Sequence, residues 1–274
     1  MGNIFESAGT PALSGVLGPP ERRLSVSRCS LSGSRVEAQM TTGPWNRRGD
    51  GTASHSALGV LVDDVVGNAA LLYRDPESWA VTTELSLDIL APLPADGSLL
   101  TCRAVHLGQD ETSCYAAGEV RTDSGTLLAR ASSWLIFVPG VPEKVRGQHT
   151  APATIPPADA LEEALGRPDA NGPGGDTFPA RSGAFHATEW QLNPAGAIHG
   201  GMVAGMCGLA AEEAVAGTGV RLQSLRVTFL RPGRGIQVPQ TRVIHNGNRL
   251  KKVSVSLMGP SGKPTASAEA VLRP

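Results

Sequence analysis

No stretch of this chain is apolar enough to cross a bilayer, no dense Lys/Arg block occurs, and the N-terminus lacks the basic-then-apolar order of a secretory leader. With a formal net charge of −1, these absences argue against a membrane surface or a nucleic acid as the main partner. Cysteine is also scarce. Cys29, Cys102, Cys114 and Cys207 form no CxxC pair and no Cys/His metal spacing, so reduced, packed thiols in a cytoplasmic setting are expected. What is present is 274 residues, 41% of them apolar, enough for one large domain or two small ones. A small molecule is the partner that fits.

Residues 1–20, rich in Gly, Pro and Ser, read as a loose N-terminal arm, and 139–176 read as a linker with a short helix in "ADALEEALG". The segments 21–138 and 177–274 then show the same order of signals: a strand, a Gly/Asn/Pro loop, one long apolar helix and a series of alternating strands. "ELSLDILAP" (84–92) aligns with "SLRVTFLRP" (224–232) at an offset of 140 residues, both with the period-two alternation of half-buried strands. "CRAVHLGQ" (102–109) falls on "TRVIHNGN" (241–248), and "SGTLLARAS" (124–132) on "SGKPTASAE" (261–269). Each half therefore reads β–α–β–β–β–β, with helices near 56–73 and 200–216.

"NPAGAIHGG" (193–201) sets an Asn, a His and two Gly ahead of the second helix. This resembles the Asn–x5–His–Gly–Gly lead-in to the central helix of hotdog-fold thioesterases, in the PaaI-type (phenylacetyl-CoA thioesterase-like) branch. The resemblance covers about 35–138 and 177–273 and implies an α+β double hotdog: two long central helices wrapped by one continuous antiparallel sheet. It also implies acyl-CoA as substrate, no cofactor or metal, and a homodimer of double-hotdog chains as a compatible assembly.

In that family an acid follows the His by nine positions. From His199 this position is Gly208; from His55, taken as the counterpart in the first half, it is Asp64. The Asn six residues before the His is Asn193 in the second half and Gly49 in the first, and the hydroxyl ten residues before the strand-ending Pro is Thr82 in the first half and Leu222 in the second. The resemblance thus implies one complete site, of Asp64, Thr82, Asn193, His199 and Gly200, and one disabled site, of Gly49, His55, Ser56, Gly208 and Leu222. Thioester hydrolysis needs a base or nucleophile and a donor aimed at the carbonyl oxygen. Asp64 takes the first role and the Gly200 N–H the second, at the positive end of the helix dipole. Asn193 and Thr82 position water, and His199 braces the loop. Asp63 competes with Asp64 for any role given to it, and Thr82 has the opposite strand parity to Leu85 and Leu87, so only a bulge or an edge position turns it toward the site.

Gly201, Val60, Val65, Met202 and Met206 are the candidate acyl-pocket residues, and Arg231 and Arg249, with Arg74, Arg234, Lys251 and Lys252, are candidates for the phosphates of CoA. The expected function is an acyl-CoA thioesterase. The competing readings are a non-catalytic acyl-CoA-binding or regulatory hotdog protein, and a hotdog dehydratase, whose His/Asp pattern is absent.

Overall fold

The computed structural model describes residues 17–72, 74–75, 77–94, 96–141, 155–167 and 183–274. The two long helices are α2 (Leu58–Leu71) and, after a short α1 (Pro19–Arg23) and α3 (Leu161–Ala164), α4 (Gly200–Glu213). Both lack a polar face over most of their length: every residue from Gly201 to Glu212 is buried, as are ten of the fourteen in α2. A helix apolar all round must be enclosed, and here the sheet encloses it.

The first half contributes β1 (Ser30–Ser32), β2 (Arg35–Thr41), β3 (Ser78–Ile89), β4 (Leu99–Gln109), β5 (Ser113–Thr122) and β6 (Leu127–Pro139). The second contributes β7 (Phe185–His186), β8 (Arg221–Phe229), β9 (Ile236–Asn246), β10 (Lys251–Met258) and β11 (Pro264–Arg273). They form one eleven-stranded antiparallel sheet in the order β1-β2-β4-β5-β6-β3-β8-β11-β10-β9-β7. Strands β3 and β8 join the halves, with Leu85 opposite Val227, Ser86 opposite Arg226 and Leu87 opposite Leu225. An offset of 140 makes Ser86 the counterpart of Arg226, so the pseudo-twofold axis passes through the pair that face each other. Helix α2 packs on β2 to β6, α4 on β8 to β11, and the helices pack on each other.

The ladders refine the repeat. Following partners from Ile89 through Ala129, Val120 and Cys102, and from Phe229 through Ala266, Leu257 and Pro239, sets Cys102 over Pro239 rather than Thr241. The expected alignment of that strand was two residues out, and a slip of two leaves the inward-outward alternation unchanged.

A second adjustment lies at the helix starts. His199 caps α4, its ring facing the Gly201 N–H, and the residue that does this in the first half is Ser54, whose hydroxyl accepts from the Ser56 N–H. The preceding bridges agree, Arg47 to Ala53 and Leu192 to Ile198. His199 therefore corresponds to Ser54, not His55, and Asn193 to Arg48, not Gly49. One residue of offset changes which acid faces which helix start.

The candidate linker was expected to hold a short helix, and α3 is that helix. Its Leu161 and the following Leu165 are buried. Residues 142–154 and 168–176 of that stretch, and the arm up to residue 16, lie outside the described residues.

Candidate active site

Gly200 and Gly201 open α4 where the backbones of the two helices come closest. A Cβ on Gly201 would overlap the Gly59 and Val60 backbone, and one on Gly200 would lie 2.6 Å from Asp63 Oδ2. Glycine is required here because a carboxylate and a neighbouring helix occupy the space of a side chain. Asp63 Oδ2 accepts from the Gly201 N–H at 2.8 Å, and Asp63 Oδ1 accepts from Thr82 Oγ1 at 3.1 Å. No acceptor among the described residues takes the Gly200 N–H, which is left at the head of the helix dipole.

Thr82 reaches Asp63 because β3 carries a bulge: Thr82 lies opposite Leu135 and Glu84 opposite Trp134, leaving Thr83 as the extra residue. The bulge resets parity, so Thr82 and Leu85 share the inner face. The matching irregularity in β8, between Leu222 and Ser224, marks Leu222 as the counterpart of Thr82.

Asp64 does something different. Its Oδ1 accepts from His199 Nε2 at 2.9 Å, while His199 Nδ1 lies 3.4 Å from Asp63 Oδ2 and 3.0 Å from the Gly201 N–H. The approach of Gly201 favours a ring protonated on Nε2 alone, and the surrounding carboxylates favour a second proton. Burial opposes charge on the ring, but Asp64, Asp63 and Glu21 outweigh it and raise its pKa to about 10, while only the neutral ring leaves Nδ1 free to accept from the Gly201 N–H. Burial also raises the pKa of Asp63, against the pull of His199. Glu21, on α1, is pushed up to about 7 by burial and by Asp64. It was not anticipated from sequence, because α1 straddles the boundary at residue 20 between what read as a loose arm and the first repeat. Donor atoms of Glu21, Asp64 and His199 lie within 4.8 Å of one another, a set able to hold a divalent ion. Here His199 Nε2 already serves Asp64.

These groups line a cavity of about 520 Å³ that Asp63, Asp64, Thr82, Asn193, His199, Gly200, Arg231 and Arg234 all border. Asn193 Oδ1 accepts from the Ala195 and Ala197 N–H groups, fixing the loop before α4. Arg231 reaches the Pro264 carbonyl at 2.8 Å. Val60, Met202 and Met206 do not reach the cavity: all three are fully buried core residues, and Val65 is buried with them. Gly201 contributes through its N–H. Arg249 is exposed near the turn between β9 and β10, away from the cavity.

The counterpart positions in the other half are closed. Gly208 stands where Asp63 would be, and a Cβ there would strike the Ser56 side chain. Leu222 replaces Thr82, and His55 Nε2 is paired with the Ala91 carbonyl at 3.1 Å. Burial lowers the pKa of His55 to about 4. Leu165, beside α3, packs against Gly205.

Residues 188–272 match the family described as "Acyl-CoA thioesterase N-terminal domain". Three solved structures are similar over most of the chain. The tesB protein of Mycobacterium avium subs paratuberculosis is 13% identical, with 93% of this chain and 97% of that one covered and a TM-score of 0.58. A 12:0-ACP thioesterase from Umbellularia californica is 14% identical, covering 89% and 95% at 0.58. An acyl-ACP thioesterase from Bacteroides thetaiotaomicron is 11% identical, covering 89% and 100% at 0.55. No curated protein matches the chain. The fold is the tandem hotdog of thioesterases. The match of the chain's second half to an acyl-CoA thioesterase domain indicates a hydrolase acting on thioester bonds.

Proposed function

We propose that this protein hydrolyses acyl-CoA thioesters at a single site, with Asp63 as the general base and the Gly200 N–H as the donor to the carbonyl oxygen. The observation that carries this is the contact across the helix pair: the Asp63 carboxylate, oriented by Thr82 and the Gly201 N–H, lies beside the unengaged Gly200 N–H on the wall of a cavity. The family spacing agrees once the right counterpart is used, since nine residues beyond Ser54 is Asp63.

In the reaction, Asp63 removes a proton from water and the hydroxide adds to the thioester carbonyl. The oxyanion takes the Gly200 N–H, the C–S bond breaks, and the CoA thiolate receives the proton from Asp63. A base whose pKa burial has raised toward working pH takes and returns a proton with less loss of driving force. Asp64 acts through His199, holding the ring that caps α4. Arg231 and Arg234, on the cavity rim, suit the phosphates of CoA.

Free-thiol release across an acyl-CoA panel, with Asp63→Asn and Asp64→Asn compared, tests the assignment. Asp63→Asn is expected to lower kcat by roughly two to four orders of magnitude, and Asp64→Asn by much less. The reverse order would return the base to Asp64. No release with any member of the panel, together with retained ligand binding, would favour a binding protein.

A further inference from the structure

Glycine inside a helix is disfavoured because it surrenders the most backbone freedom on folding, so each such glycine calls for a reason. In these two helices the reason is contact. Gly59, Gly201, Gly205 and Gly208 each lie where a Cβ would strike the facing helix or a side chain packed on it, and Gly200 lies against Asp63. Gly67, in the middle of α2, is different: a Cβ there would meet nothing within 4 Å. It is partly exposed, and it borders the cavity. Nothing in the fold asks for glycine at this position.

The other half shows what the position does when it is filled. With Ser54 matched to His199, the counterpart of Gly67 is Glu212. Its side chain is buried, and it accepts a 2.6 Å hydrogen bond from Ser54, the residue that caps its own half's helix. A side chain at this point of the helix fills the space beside the cap, and a glycine leaves that space to the cavity.

Asp63, Gly67 and Leu71 follow one another at successive turns on one face of α2 and all line the cavity. From Asp63 to Leu71 the helix rises about 12 Å. The cavity's lining includes Leu17, Cys29, Leu71 and Trp79, while the arginines Arg231 and Arg234 border it from the loop after β8. We infer that the acyl chain lies along α2 over Gly67, that it is of medium length, and that the missing side chain at Gly67 sets the longest chain accepted. This deepens the thioesterase reading and rests on it for the identity of the ligand's head group.

The test is the acyl-chain profile of Gly67→Ala and Gly67→Leu in the full chain. kcat/KM is measured on straight-chain acyl-CoAs from two to sixteen carbons, and binding of the corresponding free acids is followed by thermal shift. The ratio of medium-chain to acetyl-CoA turnover should fall at least tenfold in Gly67→Leu and by less in Gly67→Ala. Gly67→Ala should also raise Tm by a few degrees, since it restores helix propensity without a clash. A ratio unchanged in Gly67→Leu, or a loss equal at every chain length, would overturn the inference. If the wild-type protein hydrolyses nothing, the acid series still decides: a chain-length cutoff that shortens in Gly67→Leu supports the inference while the thioesterase reading fails, and an unmoved cutoff overturns both.

Discussion

At the scale of single residues, two adjacent carboxylates take separate tasks because a helix turns about 100° per residue. Asp63 faces the other helix's first turn and Asp64 faces the His199 ring, so Asn at either position should disturb a different measurement. Glu212 offers a prediction that does not depend on the reaction. Burial holds its pKa at about 7 in the folded chain, against 4.5 for an ordinary glutamate. The folded state therefore binds more protons than the unfolded state between those values, and stability is highest below about pH 4.5 and falls as pH rises through 7. The full change amounts to about 3 kcal/mol. Glu212→Gln keeps an acceptor for Ser54 Oγ and removes the titration, so urea midpoints measured at pH 5 and pH 8 should lie closer together in the variant. An undiminished difference would assign the pH dependence to Glu21 and Asp63 instead.

At the scale of elements, the helix pair is held at short range by glycines rather than by interlocking large side chains. Gly59 and Gly201 face each other, and a side chain on Gly59 would overlap the Gly201 carbonyl. Because the overlap is with backbone, rotamer changes cannot relieve it. Gly59→Val should lower stability by about 1–3 kcal/mol or more, read from chemical denaturation. It should also separate Asp63 from the start of α4, so kcat should fall even at temperatures where the variant is folded. A variant as stable and as active as the parent would show that the crossing tolerates a wider gap. The β3 bulge is the other element on which the site depends. Without the extra residue at Thr83, Thr82 would face away from the helices and Asp63 would lose its 3.1 Å partner.

At the scale of the whole molecule, the proposed site draws on both halves, and the pseudo-symmetric positions on the reverse side lack its groups. The proposed base, Asp63, and its partner Thr82 come from the first half and the unengaged Gly200 amide from the second. On the reverse side, Gly208, Leu222 and His55 stand in place of acid, hydroxyl and bare backbone, with Leu165 over Gly205. Calorimetric titration with a non-hydrolysable acyl-CoA analogue should therefore give one ligand per chain. Two equivalent ligands would mean that the second side opens on binding. Among the described residues no helix is long and apolar enough to cross a membrane.

The sequence by itself determined the duplication, the order of elements in each half apart from α1 and β1, and the glycine-rich helix start. Each of these is written locally: in the period of apolar residues, in the offset of 140 between β3 and β8, and in the residues that cap α4. It also narrowed the acid to two neighbours. Separating their contacts, and placing Thr82, Glu21 and Gly67, fell to the tertiary structure. Two histidines invited the pairing of His55 with His199, whereas Ser54 and His199 are the residues that share the capping geometry. A serine and a histidine that do the same work look unrelated in one dimension. The bulge is likewise invisible to alternation until its partner strand is known, and Gly67 differs from the other helix glycines only in what is absent around it.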